Sequence, residues 1–179
     1  MKKSRFVDVP AGEFYFDPVE WAVGLGITNG ADDTHFDPNG ACMRGHVVTF
    51  LWRAMGKPAP KTTVNPFVDI AKTDYYYEAV LWAYENGITN GVDSTHFGPT
   101  KECNRAQVVT FLWRAMGKPA SNAQVAFTDV EAGQFYSTAV AWAVENKITN
   151  GMPDGTFGVG TTCNRAQVVT FLYRTPLEK

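Results

Sequence analysis

One block is written three times along these 179 residues. Phe6-Val-Asp-Val, Phe67-Val-Asp-Ile and Phe127-Thr-Asp-Val open the copies, so that Phe67 follows Phe6 by 61 positions and Phe127 follows Phe67 by 60. Arg53-Ala-Met-Gly, Arg114-Ala-Met-Gly and Tyr173-Arg174 close them. A period that regular over almost the whole chain predicts three copies of one supersecondary unit that bury their apolar faces against one another. Whatever the unit does, the chain is expected to do up to three times. The copies span residues 6–56, 67–117 and 127–174, joined by Gly- and Pro-rich connectors at 57–66 and 118–126. Residues 1–179 are read as one module.

With 45% apolar, 13% aromatic and 19% charged residues, the chain has the composition of a packed protein and not of a disordered one. A formal charge of −2 excludes a dedicated nucleic-acid or anionic-membrane binder, which carries a basic excess. Any affinity for anions must reside in local pockets. No run approaches the ~18 apolar residues needed to span a bilayer. Met1-Lys2-Lys3-Ser4 has the look of a signal-peptide start, but Arg5-Phe6-Val7-Asp8 leads straight into the first repeat with no apolar segment between. The expectation is an excised module whose export signal lies outside it.

The second copy is the easiest to read. Between Asp74 and Asn86, Tyr76, Val80, Ala83 and Tyr84 recur at helical spacing, and Gly87 follows where a left-handed residue ends a helix. The equivalents are Phe16 to Leu25, with Pro18 tolerated in the first turn, and Ser137 to Asn146, where Lys147 replaces the glycine at a cost of about 1 kcal/mol or a reshaped turn. Each first helix leads to Ile-Thr-Asn-Gly (27–30, 88–91, 148–151) and a polar loop holding Phe36, Phe97 or Phe157. Second helices follow at Arg44–Met55, Arg105–Ala115 and Arg165–Arg174, each with an apolar stripe wide enough for more than one neighbour. The predicted fold is all-α: three helix-loop-helix repeats in a pseudo-threefold arrangement around a central bundle of the three second helices, with the first helices and loops projecting outward.

The order Phe-x-Asp-Val, Tyr76-Tyr-Glu-Ala-Val-Leu-Trp82, Gly87-Ile-Thr-Asn-Gly91, Phe97-x-Pro99 and Asn104-Arg105-Ala106-Gln107 before Val-Val-Thr-Phe-Leu-Trp-Arg-Ala resembles the S-layer homology repeat. The resemblance implies a pseudo-trimer that attaches exported proteins non-covalently to a secondary cell-wall polysaccharide of a Gram-positive-type wall, in grooves between adjacent repeats. It implies a chain outside the cell, at the wall or surface. In that family the arginine of a Thr-Arg-Ala-Glu motif holds a negatively charged, typically pyruvylated, sugar. Here copies two and three read Asn-Arg-Ala-Gln, and copy one reads Met43-Arg44-Gly45-His46.

Asn104 with Gln107 and Asn164 with Gln167 also make capping boxes, and Cys103 before Val108 makes a hydrophobic staple, so these residues need no ligand to explain them. The arginines differ. A cap accepts almost any residue at the first helical position, yet Arg44, Arg105 and Arg165 recur even where Met43 and His46 have replaced the box. An arginine beside a helix N-terminus, with free N–H groups and the positive dipole end, suits a carboxylate. The alternative is a staple to a neighbouring acid or loop carbonyl. Because Met43, Gly45 and His46 weaken its helix start, the Arg44 site is expected to be the weakest.

Asn29, Asn90 and Asn150 are candidate donors to sugar hydroxyls, and Gly30, Gly91 and Gly151 would admit a ligand close to the backbone; a plain Asn-Gly turn explains them equally. Trp21, Trp82 and Trp142 are expected in the core. No catalytic cluster, cofactor motif or metal ligand set is found, and one cysteine per repeat (Cys42, Cys103, Cys163) is no disulfide framework. The chain is therefore expected to be a monomeric binding module and not an enzyme, with the wall polysaccharide as partner and no nucleic acid or membrane. A rival expectation is a structural or protein-binding module that kept this fold and lost the polymer.

Overall fold

A computed structural model describes residues 3–177. Among them are six helices: α1 (Phe16–Gly24), α2 (Arg44–Ala54), α3 (Tyr77–Glu85), α4 (Arg105–Ala115), α5 (Ser137–Glu145) and α6 (Arg165–Arg174). The odd-numbered helices are nine residues each. That is shorter than the ~12–15 residues at which an isolated helix holds in water, so their stability comes from packing. The even-numbered ones carry Val-Val-Thr-Phe, a β-branched run with weak helix propensity. Burial compensates: Val108, Val109, Phe111 and Leu112 of α4, like their counterparts, are all in the core. Thr49, Thr110 and Thr170 turn their hydroxyls back onto the carbonyls of Gly45, Ala106 and Ala166 at 2.7 Å, which hides three polar groups inside.

α2, α4 and α6 pack on one another as the central bundle, and the three copies surround it in a pseudo-threefold arrangement. The first helices do not simply project outward. α3 packs on α2, α5 on α4, and α1 closes the circle on α6, so each repeat hands its first helix to the preceding repeat. Buried residues of all three repeats form one shared core.

Near the axis the three cysteines form a ring through their backbones. Cys42 N–H donates to the Cys163 carbonyl at 2.9 Å, Cys103 N–H to Cys42 at 3.0 Å, and Cys163 N–H to Cys103 at 2.9 Å. Antiparallel bridges between Ala41 and Asn164, Met43 and Glu102, and Asn104 and Thr162 flank it. All three thiols are buried and free. Burial pushes Cys103 and Cys163 up to about 12 and raises Cys42 as well. Trp82 and Trp142 are core residues as expected, and Trp21 is half-buried against Tyr173.

Lys147 keeps the left-handed turn that glycine makes elsewhere, with φ of 58° against 66° at Gly26 and 65° at Gly87. The turn is therefore retained and strained. Such a conformation costs an L-residue about 1 kcal/mol or slightly more.

Candidate functional site

The Phe-x-Asp motif positions everything that follows. Asp69 accepts the N–H groups of Phe97 and Gly98 at 2.8 and 2.7 Å; Asp8 does the same for Phe36 and Asp37, and Asp129 for Phe157 and Gly158. These bonds pin the loop phenylalanine with its carbonyl turned toward the preceding repeat. Arg44 Nε donates to that carbonyl of Phe97 at 3.0 Å, Arg105 Nε to Phe157 at 2.8 Å, and Arg165 Nε to Phe36 at 2.8 Å. Around the ring, each arginine thus joins its own repeat to the next.

The three side chains are only 4%, 3% and 7% exposed. Each guanidinium lies between two phenylalanine rings: Phe97 and Phe111 for Arg44, Phe157 and Phe171 for Arg105, Phe36 and Phe50 for Arg165, with centroids 4.9–5.6 Å away. Nη2 of Arg44 and Arg105 donates to Thr89 and Thr149. Nη2 of Arg165 is buried with no partner. Burial lowers the pKa of all three from the usual arginine value, yet a guanidinium stays charged at any ordinary pH. Their hydrogen bonds go to carbonyls and hydroxyls, not to carboxylates. The staple expected as the alternative therefore exists, but no carboxylate bonds the guanidinium directly; the nearby acids, Asp69 for Arg44, Asp129 for Arg105, and Asp37 and Asp8 for Arg165, act only through space.

The helix N-termini do not offer the expected free N–H groups. Arg44 and Gly45 donate to the carbonyls of Lys101 and Pro99, Arg105 and Ala106 to Thr161 and Val159, and Arg165 and Ala166 to Gly40 and Pro38. The loop of the next repeat closes each helix start, so the dipole end is already occupied. The capping boxes form as read: Gln107 N–H to Asn104 Oδ1 at 2.9 Å with the reverse bond at 3.1 Å, and the same pair at Asn164 and Gln167. Copy one keeps half of the box, because Met43 N–H donates to His46 Nδ1 at 3.3 Å.

Two clefts open beside the buried arginines. One, of about 240 Å³, brings Arg44 together with Asn90, Gly91, Gln107, Arg114 and Phe135. The other, of about 210 Å³, brings Arg105 together with Asn150, Gly151, Gln167, Arg174 and Phe14. Each draws on all three repeats. Neither is lined by a carboxylate, and each holds two arginines. Arg114 and Arg174 donate one Nη1 to the carbonyls of Ile88 and Ile148. Because the Gln107 and Gln167 carbonyl oxygens are held by the caps, their amide N–H₂ groups are left as donors.

The third corner differs. Around Arg165 stand Phe50, His46 and Tyr75, and His46 stacks on Phe50 and Tyr75 with centroids 6.3 and 6.2 Å apart. Burial, and then Arg165, lower the His46 pKa. The divergent residue of copy one therefore belongs to the Arg165 groove and not to the Arg44 groove. Arg53 donates to the Ile27 carbonyl here, and Arg5 to the Asn29 carbonyl.

Asn29, Asn90 and Asn150 are exposed. Gly30, Gly91 and Gly151 adopt φ of 99°, 84° and 82°, and a Cβ on any of them would come within 2.2–2.6 Å of the ring edge of Phe6, Phe67 or Phe127. Internal packing fixes these glycines, whether or not a ligand comes near. Sequence reasoning missed Phe14, Tyr75 and Phe135, which stand at equivalent positions and are 57%, 56% and 55% exposed. Each is propped edge-on against the next tyrosine, at 5.1, 4.8 and 5.0 Å. The available signal was the aromatic doublet Phe14-Tyr15, Tyr75-Tyr76, Phe135-Tyr136.

The S-layer homology domain profile matches residues 5–48, 66–109 and 126–169, more than half of the chain. The chain belongs to the S-layer homology family. Among curated relatives, a cell surface protein of Thermoanaerobacter kivui is 29% identical over 116 residues, covering 63% of this chain and 15% of that protein. A surface-layer 125 kDa protein of Lysinibacillus sphaericus is 28% identical over 149 residues, 82% of this chain and 12% of the relative. An endoglucanase of Bacillus sp. (strain KSM-635) is 28% identical over 114 residues, 64% and 12% respectively. The chain spans less than a sixth of each relative's length. Three S-layer homology repeats make it a binding module of the cell surface. No described helix is long and apolar enough to cross a membrane.

Proposed function

We propose that this module anchors a larger protein to the cell wall by holding carboxylate-bearing sugars, such as pyruvylated residues, of a secondary wall polysaccharide in the inter-repeat grooves. The observation that carries this is the charge of the two clefts: two arginines each, one of them buried, and no carboxylate in the lining. A buried charge that no carboxylate bonds directly is costly even with Asp69 or Asp129 acting on it through space, and a ligand carboxylate would relieve that cost while gaining charge-assisted hydrogen bonds. In a chain of net charge −2 such clefts are local exceptions. Phe135 and Phe14 at the rims offer apolar faces to the sugar ring, and Gln107, Gln167, Asn90 and Asn150 offer donors to its hydroxyls. At 210–240 Å³ each cleft holds only a short piece of polymer.

The test is co-sedimentation with purified wall sacculi before and after removal of the polymer's acidic substituents. Binding that drops at least tenfold on removal supports the carboxylate reading. Equal binding to both overturns it in favour of neutral-sugar recognition, and no binding to either favours a structural or protein-binding role.

A further inference from the structure

A cavity of about 480 Å³ lies away from the two arginine clefts, between connector 57–66 and the start of α3. Tyr75 and Tyr77 contribute aromatic faces, Asp74 and Glu78 carboxylates, Lys72 an ammonium, and Leu81 is part of its lining. The connector wall is fixed in place, because Glu85 accepts the N–H groups of Lys61 and Thr62 at 2.8–3.0 Å. Tyr75 belongs to this cavity and also closes on His46 in the Arg165 groove. The corner whose groove differs from the others is therefore the corner beside which this cavity opens.

The fold does not demand this lining. Repeat three has the same helix with Ser137 for Tyr77, Thr138 for Glu78, Ala141 for Leu81 and Ala132 for Lys72. Internal repetition separates what the architecture requires from what one copy adds. Repeat one keeps an acid pair, Glu13 and Asp17, but has Ala11 for Lys72, Glu20 for Leu81 and, in place of Tyr77, a buried Phe16. What repeat two adds is the half-buried Tyr77 and a base beside its two acids, a set that suits stacking against a sugar ring and hydrogen bonding to its hydroxyls. Two carboxylates against one ammonium disfavour an anionic ligand, the opposite of the arginine clefts.

We propose that this cavity is a neutral-saccharide subsite, which takes uncharged residues of the polymer whose acidic residues the arginine clefts hold. The inference rests on the proposed anchoring function. Once an acidic residue is bound, neighbouring sugars are presented at high effective concentration, so a weak subsite adds usefully to avidity.

Neutral fragments of the wall polysaccharide, prepared by removing its carboxylate-bearing substituents, are titrated into the isotope-labelled full chain and followed by NMR. Expected are shifts at Tyr77, Glu78 and Thr63, weakened about fivefold or more in Glu78→Thr, the loss of roughly one hydrogen bond. Tyr77→Ser, repeat three's own residue, abolishes them. Glu78 is exposed, and an unchanged melting temperature for Glu78→Thr excludes unfolding as the cause. Carboxylated fragments still shift Gln107 and Gln167 in both variants. No shift at Tyr77 and Glu78 with neutral fragments, or equal affinity in Glu78→Thr, overturns the subsite. Failure of carboxylated fragments to shift Gln107 or Gln167 overturns the anchoring mechanism instead.

Discussion

Arg105 reaches across 52 positions to the carbonyl of Phe157, 2.8 Å from its Nε, and in doing so joins α4 to the loop of the next repeat. The same bond recurs from Arg44 to Phe97 and from Arg165 to Phe36. An arginine that holds repeats together and floors a groove cannot be assigned to stability or to binding by a single substitution.

Arg105→Ala removes the side-chain donor of the Phe157 carbonyl and one of the two donors to the Thr149 hydroxyl, which keeps the Gly151 N–H, a loss of about 2–4 kcal/mol, partly offset because a buried charge is removed too. Asn104→Ala loses one cap, about 0.5–2 kcal/mol. Urea melts should rank Arg105→Ala as the more damaging. The binding role is read from the ligand instead: carboxylated polymer raises the wild-type Tm, and the increment should shrink in Arg105→Ala. An undiminished increment would make the arginine a staple alone.

Phe135→Ala separates the roles more cleanly. Phe135 is more than half exposed and rims the Arg44 groove, so its removal should change stability by less than about 0.5 kcal/mol. Losing an aromatic platform should weaken binding of wall fragments at that groove by about 1 kcal/mol or more, roughly fivefold. Calorimetric titration checks both. A normal affinity would show that sugar rings do not use this face.

The threefold repetition, the six helices and the capping boxes were legible because periodicity, Gly-punctuated ends and Asn-x-x-Gln spacing are local signals. The circular exchange of first helices was not. A period of about 60 residues says that neighbours pack but not which neighbour receives Trp82. The burial of Arg105 was hidden for a similar reason, since an arginine at the first helical position reads the same whether it points to solvent or lies between Phe157 and Phe171. His46 was placed with Arg44 because they are adjacent in sequence. The grooves are assembled from three repeats, and His46 faces Arg165.

The cysteine ring makes an alkaline prediction. The buried thiols stay protonated well above the ordinary thiol range, whereas in the unfolded chain they ionise near about 8.5. Above that pH the unfolded state has released protons that the folded state still holds, so stability falls as pH rises. Below it the contribution is fully present. Cys103→Ala should reduce the slope between about pH 8.5 and pH 10.5. Native protein should also resist a thiol-specific alkylating agent until denatured; rapid labelling would contradict the burial.

His46 makes the opposite one. Its pKa is lowered in the fold by burial and by Arg165, from an ordinary 6.5. Below about 6.5 the unfolded chain binds a proton that the folded one refuses, so stability falls with acid, and above that pH the term vanishes. Protonation also destroys the Nδ1 acceptor that caps Met43. His46→Gln, which restores the residue of the other two copies, should flatten stability between pH 6.5 and the lower folded value. An unchanged acid limb would assign it to carboxylates instead.

The same residue ranks the grooves. In the Arg165 corner, His46 stacks on both Phe50 and Tyr75, and Phe50 faces the guanidinium, where the other corners have Gln107 and Phe135 or Gln167 and Phe14 beside open clefts of about 240 and 210 Å³. A carboxylate entering there must separate a stacked triple of rings, and aromatic pairs are worth about 0.5–1.5 kcal/mol each beyond their buried area. The arginine clefts of Arg44 and Arg105 should therefore fill first, reversing the order that the sequence alone suggested for Arg44. Titration with a short carboxylated fragment at pH 7.5 should give a stoichiometry near two. The Arg165 Nη2, buried and unpartnered, keeps the third corner latent and not lost: His46→Gln combined with Tyr75→Phe gives it the lining of the others and should raise the stoichiometry toward three. Three equivalent sites in the wild type, or no gain in the double variant, would remove the aromatic stack as the determinant.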